Sequence, residues 1–144
     1  MPLLVFTTNL DKIRSRDPRN WKRQTIRFNA DYWEQVWRRH HLAPRCLHVW
    51  LGSPRASPEA EKWGLANFTH FEKREGESLT QWDAIRDGFP TLAELAQVLT
   101  RMHKLTLDQY LEHTWALITF SFPDDPIPES TGSKLLALGT KPGA

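Results

Sequence analysis

Hydrophobic positions along this chain fall into short runs separated by polar, proline-bearing stretches, and two periods recur among them. A period of two marks strands, and a period of about 3.6 marks helices. PLLVFT reads as a short buried strand, followed by TTN, where Thr8 or Asn9 is placed to cap a short helix over LDKIRS. RDPRN is a turn, because Pro18 blocks helix continuation, and WKRQTIRF has the composition of a strand. NADYWEQVWRRHH is the clearest amphipathic helix: Trp33, Val36, Trp37 and His40 recur at helical spacing behind Asn29 or Asp31. RCLHVWLG alternates Cys46, His48 and Trp50 with Leu47, Val49 and Leu51, and both faces are apolar enough for a central strand.

Further on, SPRASPEAEKWG is a polar loop, and LANFTHFEKR alternates as a strand does. EGE suggests a turn, and SLTQWDAIRDGFP runs from a strand or short helix into a Gly-Pro stop. TLAELAQVLTRMHK predicts a helix, with Thr91 as its N-cap, Glu94 completing a capping box, and Leu92, Leu95, Val98, Leu99 and Met102 on one face. TLDQYLEHT predicts another helical turn, leading into the apolar closing strand WALITFSF. From Pro123 onward the chain lacks periodicity and is rich in Pro, Gly, Ser and Thr, which predicts a flexible tail over 123–144 behind one domain over 1–122. Five or six strands with two or three helices, too irregularly spaced for a doubly wound parallel sheet, predict an α+β fold. Its expected form is a small mixed or antiparallel, partly closed β-barrel flanked by those helices.

Composition changes this picture in four respects. At 144 residues, 40% hydrophobic and 25% charged, the chain is long enough for one cored domain without a staple. The single Cys46 gives no disulfide and no thiolate cluster for zinc. The apolar start is too short for a membrane span and lacks the basic segment of a signal peptide, so a cytoplasmic protein with no membrane partner is expected. Charge is unevenly spread: residues 1–55 hold eleven Lys or Arg against four Asp or Glu, and residues 56–144 hold eight against thirteen. The first third is thus a candidate anion-facing surface, or a small domain's ordinary unevenness.

No Gly-rich phosphate loop, G-x-S-x-G elbow or H-E-x-x-H is present, and no cofactor is expected. His40 and His41 are adjacent at a helix end, where neighbouring side chains diverge by about 100°, so no metal site is expected there. NWKRQTIRF, residues 20–28, is the densest set of reactive side chains. Arg23, Thr25 and Arg27 share one strand face, with Lys22, Gln24 and Ile26 on the other. The segment is either a solvated strand face with Ile26 inward or the floor of a pocket. The pocket requires Lys22 to precede the strand, so that its amine can swing toward Thr25 and Arg27. A lysine desolvated beside other cations loses its proton more readily and can serve a neighbouring hydroxyl as base.

The pattern Lys-x-x-Thr-x-Arg in Lys22, Thr25 and Arg27 resembles the signature of the ASCH domain family, related to PUA domains. There it follows a short strand and helix and begins with a glycine, where this chain has Asn20. The family's second signature, an acidic residue in a Glu-Gly-Phe context before a helix and a final apolar strand, is matched by IRDGFPTLAELAQVL and WALITFSF. Asp87 stands where the glutamate is usual, one methylene shorter. The resemblance spans about residues 2–122, and loop 52–64 and the tail look like additions to a minimal domain.

A small bacterial member of that family hydrolyses the N4-acyl amide of acetylated cytidine. The resemblance implies Thr25 as nucleophile, Lys22 as its base, and Asp87 as proton donor to the leaving amine or as the group orienting water. Arg27 would bind the oxyanion or the cytosine carbonyl. The alternative is a non-catalytic PUA-like module that holds RNA or a modified base in a basic cleft. Arg19, Asn20, Trp21 and Arg23 would line that cleft, with Trp21 and Trp63 as stacking platforms. A nucleoside or RNA partner is expected on either account.

Overall fold

The computed structural model describes residues 3–39, 46–53, 55 and 58–126. Five strands form one mixed sheet: β1 (Leu3–Phe6), β2 (Gln24–Arg27), β3 (Cys46–Leu51), β4 (Glu61–Glu75) and β5 (Thr114–Ser121). Their spatial order is β1-β3-β4-β5-β2; β1 lies parallel to β3, and all other pairs are antiparallel. β4 serves two partners, pairing with β3 through Glu61 to Asn67 and with β5 through Asn67 to Glu75. Register shifts at Val49/Trp50 and at Phe68/His70 bend it on the way, since an unpaired extra residue kinks and twists a ladder. The sheet therefore curls into a half-barrel. Its two edge strands are bridged by a side chain: the Arg27 guanidinium on β2 donates to the Val5 carbonyl on β1 over 2.8 Å.

Both faces of the curled sheet are covered in its middle. Leu4, Phe6, Leu47, Val49, Phe68 and Ile118 form the inner core with α2 (Ala30–Arg39), whose Trp33 and Val36 point inward. On the other face Ile26, Trp115 and Leu117 pack under α3 (Gln81–Arg86), α4 (Leu92–His103) and α5 (Leu107–Glu112). The run WALITFS can therefore alternate bulky residues on both sides of the sheet. A short α1 (Leu10–Arg14) and a 3-10 turn at Gly76–Ser78 complete the elements.

The α+β class and the barrel-like curl agree with expectation, and several details differ. Among the described residues five α-helices stand where two or three were expected. Within SLTQWDAIRD, expected as a strand or short helix, Gln81–Arg86 is the short helix, capped reciprocally by Thr80 and Asp83. β4 begins at Glu61, so Trp63 lies on a strand and packs against the inner core, not in a polar loop. β2 is confined to four residues because the Lys22 amide bonds to the Lys12 carbonyl. Asn9 starts α1 in a left-handed conformation without a side-chain capping bond. Thr91 accepts from the Glu94 amide as expected, but the Glu94 side chain does not return a bond to close the capping box. β3 is central by pairing, with Leu47, Val49 and Leu51 buried and its other face half-buried. His40, His41 and residues 127–144 of the expected tail lie outside the described residues. No helix among the described residues is long and apolar enough to cross a membrane.

Candidate active site

Cross-strand pairing decides which way β2 presents its side chains. Thr25 is opposite Ile118 and Arg27 opposite Ala116, both inner-core positions, whereas Ile26 is opposite Leu117 on the outer face. Directly paired residues share a face, so Thr25 and Arg27 turn into the curl of the sheet. Lys22 sits in the approach to β2, fixed by the amide bond to α1.

Asp87 arrives from the opposite direction. It caps the C-terminus of α3, with Gly88 at φ 93° behind it. The Phe89 amide bonds to the Ala84 carbonyl and the Gly88 amide to Ile85, the pattern of a Schellman stop that needs a residue at home with positive φ. The turn is pinned to α1, because Lys12 Nζ donates to the Gly88 carbonyl over 3.1 Å. RDGF therefore makes a turn and, by making it, delivers a carboxylate.

Lys22 Nζ stands 2.7 Å from Asp87 Oδ1, with the two side chains only 5% and 4% exposed. The ammonium also lies 5.3 Å from the Phe6 ring and 5.9 Å from the Phe89 ring. Arg27 Nε donates to Thr25 Oγ1 over 3.1 Å, and its guanidinium rests 4.9 Å from the Phe6 ring. All four groups line one cavity of about 260 Å³ between β1, β2, the α3–α4 turn and the C-terminal half of α4.

Burial is the largest influence on each charge. It pushes the Lys22 ammonium below its ordinary value against the pull of Asp87, and Arg27 and Lys12 push the same way. It pushes Asp87 above the usual carboxylate range, opposed by Lys22, Arg27 and the Ile26 amide. Arg27 is brought down to about 10 by the same loss of water. Lysine and carboxyl are thus drawn toward each other in proton affinity, and a proton moved from Lys22 to Asp87 turns the ion pair into a neutral amine and acid.

Of the sequence-predicted site residues, Lys22, Thr25, Arg27 and Asp87 meet in this cavity. Arg23 does not. It is buried between the Trp21 and Phe122 rings and bonded to Asp125 and to the Ile13, Ser15 and Lys22 carbonyls, so it ties the structure together rather than facing a ligand. Arg19, Asn20 and Trp21 line a separate recess, to whose wall Arg23 also contributes. Trp63 lines neither and lies under Arg14. Sequence reasoning missed Phe6, Phe89 and His103 as walls of the cavity. Phe89 belongs to RDGF itself, and His103 follows the apolar stripe of α4, so both were within reach of motif and period. Among the described residues no group of three or more His, Cys, Asp or Glu is placed to hold a metal ion.

A scan against protein-family models, a search of curated proteins and a search of solved structures each returned no match.

Proposed function

We propose that this cavity is an ASCH-type hydrolytic site that removes an N4-acyl group from cytidine through an acyl-threonine intermediate. The carrying observation is the buried Lys22–Asp87 contact, made by two motifs far apart in sequence, in one cavity with Thr25 and Arg27. The shorter Asp87 still reaches the lysine at 2.7 Å, which supports the reading with aspartate at that position. A cavity of about 260 Å³ falls near the lower end of small-molecule sites, about 300–1,000 Å³, and suits one base with a short acyl group.

The proton balance closes on the pair. Thr25 Oγ attacks the acyl carbonyl while its proton passes to the neutral Lys22 amine, and Arg27 steadies the oxyanion. The C–N bond breaks as protonated Asp87 supplies the cytosine amine, leaving Lys22 charged and Asp87 ionised. Water then attacks the acyl-threonine and gives its proton to Asp87, and Lys22 returns a proton to Thr25 Oγ. The Arg27 Nε bond to Thr25 Oγ1 uses the oxygen as acceptor and leaves the hydroxyl proton free to be taken.

The test is release of cytidine from N4-acetylcytidine, followed by chromatography. Wild type turns over, and Thr25→Val, which keeps the shape and leaves the ion pair intact, loses at least about a hundredfold. Unchanged turnover in Thr25→Val overturns the acyl-threonine route, and none by a folded wild type overturns hydrolysis. A second reading has a specific observation in its favour: Lys22 and Thr25 are both already engaged, by Asp87 and Arg27. On that account the cavity holds a modified base without reaction, and saturable binding of N4-acetylcytidine without turnover identifies it.

A further inference from the structure

On the other face of β2 lies a second recess of about 390 Å³, separate from the cavity with Lys22 and Asp87. Its walls include Trp21 and Ile85, and its cations are Lys12, Arg19, Arg23 and Arg86, of which Arg23 is already paired with Asp125; no acidic side chain is among its lining residues. At its floor is Gln24, only 9% exposed, whose amide Nε2 is buried and has no hydrogen-bond partner. A buried, unpaired amide donor is costly and uncommon. In a lined recess it is the signature of a place where a ligand supplies the acceptor.

We infer that this recess is a nucleotide-binding site: a heteroaromatic ring lies against Trp21 and Ile85, accepts from Gln24 Nε2, and carries its phosphate toward Lys12 and Arg86. Each part of that ligand answers a feature of the recess. The Trp21 ring, held in place by the Arg23 guanidinium 4.5 Å away, is half-buried, so a flat ring adds to a platform that is already rigid. Arg86 is exposed and makes no ion pair among the described residues, and Lys12 spends one of its three protons on the Gly88 carbonyl. Arg19 is a weaker contributor, because it already touches Asp17 over 3.3 Å. A plain apolar ligand would leave both the cations and the Gln24 amide unanswered. Inorganic phosphate alone would leave Trp21 and Ile85 bare. The assignment does not depend on the hydrolytic reading, since no residue of the proposed catalytic set lines the recess.

The same chemistry is offered by a free mononucleotide and by one residue of a single strand, and calorimetry on the full chain separates them. Adenosine 5′-monophosphate, adenosine and an eight-residue oligoadenylate are titrated into wild type, Trp21→Ala, Arg86→Ser and Gln24→Leu. Monophosphate binding that weakens about tenfold or more in Trp21→Ala and Arg86→Ser, and is far weaker for adenosine, supports the site. Oligoadenylate that binds much more tightly than monophosphate, with the same sensitivity to these substitutions, makes the natural ligand a strand. Equal affinity makes it a free nucleotide. Arg86 is exposed and makes no ion pair among the described residues, so Arg86→Ser keeps the test valid even if Gln24→Leu fails to fold. Absence of monophosphate binding by wild type, or binding undiminished in Arg86→Ser and Trp21→Ala alike, overturns the inference.

Discussion

A lysine and an aspartate withdrawn from water are each costly, and the attraction between them repays that cost only while both are present. Lys22 and Asp87 are in this position. Lys22→Met leaves Asp87 uncompensated and is expected to cost about 3–5 kcal/mol, as is Asp87→Leu. The double variant is expected to recover most of that loss, because two apolar side chains can replace a buried pair at little cost. Urea denaturation of the four proteins measures the coupling; additive losses would mean that the two groups do not share one charge balance. The same physics governs any functional assay. A silent Lys22→Ala protein can be silent because Asp87 has been stranded, whereas Thr25→Val removes the hydroxyl and spares the pair.

At the scale of elements, the placement of Asp87 depends on a turn more than on a helix. Gly88 holds φ at 93°, and a Cβ there would lie 2.7 Å from Asn9 Nδ2 and 3.1 Å from Asn9 Cγ. Asn9 has little room to yield, because it is itself left-handed at φ 55° and begins α1. Gly88→Ala therefore carries both backbone strain and a clash, with an expected loss of about 1–3 kcal/mol. Because the turn is also held by Lys12, the substitution pushes Asp87 out of register with Lys22. A denaturation curve checks the first effect, and loss of coupling in the Lys22/Asp87 cycle built on Gly88→Ala checks the second.

Elements with a strong period or cap were legible in the sequence: α4 behind Thr91, the Trp33–Val36 face of α2, and the apolar β5. Those set by contacts between distant segments were not. β4 extends through EKWG because β3 is there to pair with it, although the residues read as loop. β2 stops short because α1 takes the Lys22 amide. The site followed the same rule. Lys22, Thr25, Arg27 and Asp87 could be named from two motifs, but the engagement of Arg23 elsewhere could not, because its partner lies beyond β5.

For the whole molecule, the contrast between a basic first third and an acidic remainder is partly resolved by pairing within the fold. Arg14 meets Glu61, Arg16 meets Asp124, Lys22 meets Asp87 and Arg23 meets Asp125. Part of the expected anion-facing surface is therefore spent on holding the N-terminal segment to the rest of the chain. The exposed pairs among these contribute little, and the weight falls on Arg23 and Asp125, whose side chains are 9% and 6% exposed. Asp125 takes two guanidinium bonds, of 2.8 and 3.0 Å, and one from the Phe122 amide, so it fixes the chain just past β5 against α1 and the approach to β2. Asp125→Ala leaves a buried guanidinium supported only by carbonyls and is expected to cost about 3 kcal/mol. Asp125→Asn, which can still accept one bond and satisfy Phe122, is expected to cost less. If chemical denaturation found Asp125→Ala within about 0.5 kcal/mol of wild type, as for a surface substitution, residues 123–126 would be dispensable to the fold, and Arg23 would owe its position to the α1 carbonyls and the two aromatic rings alone.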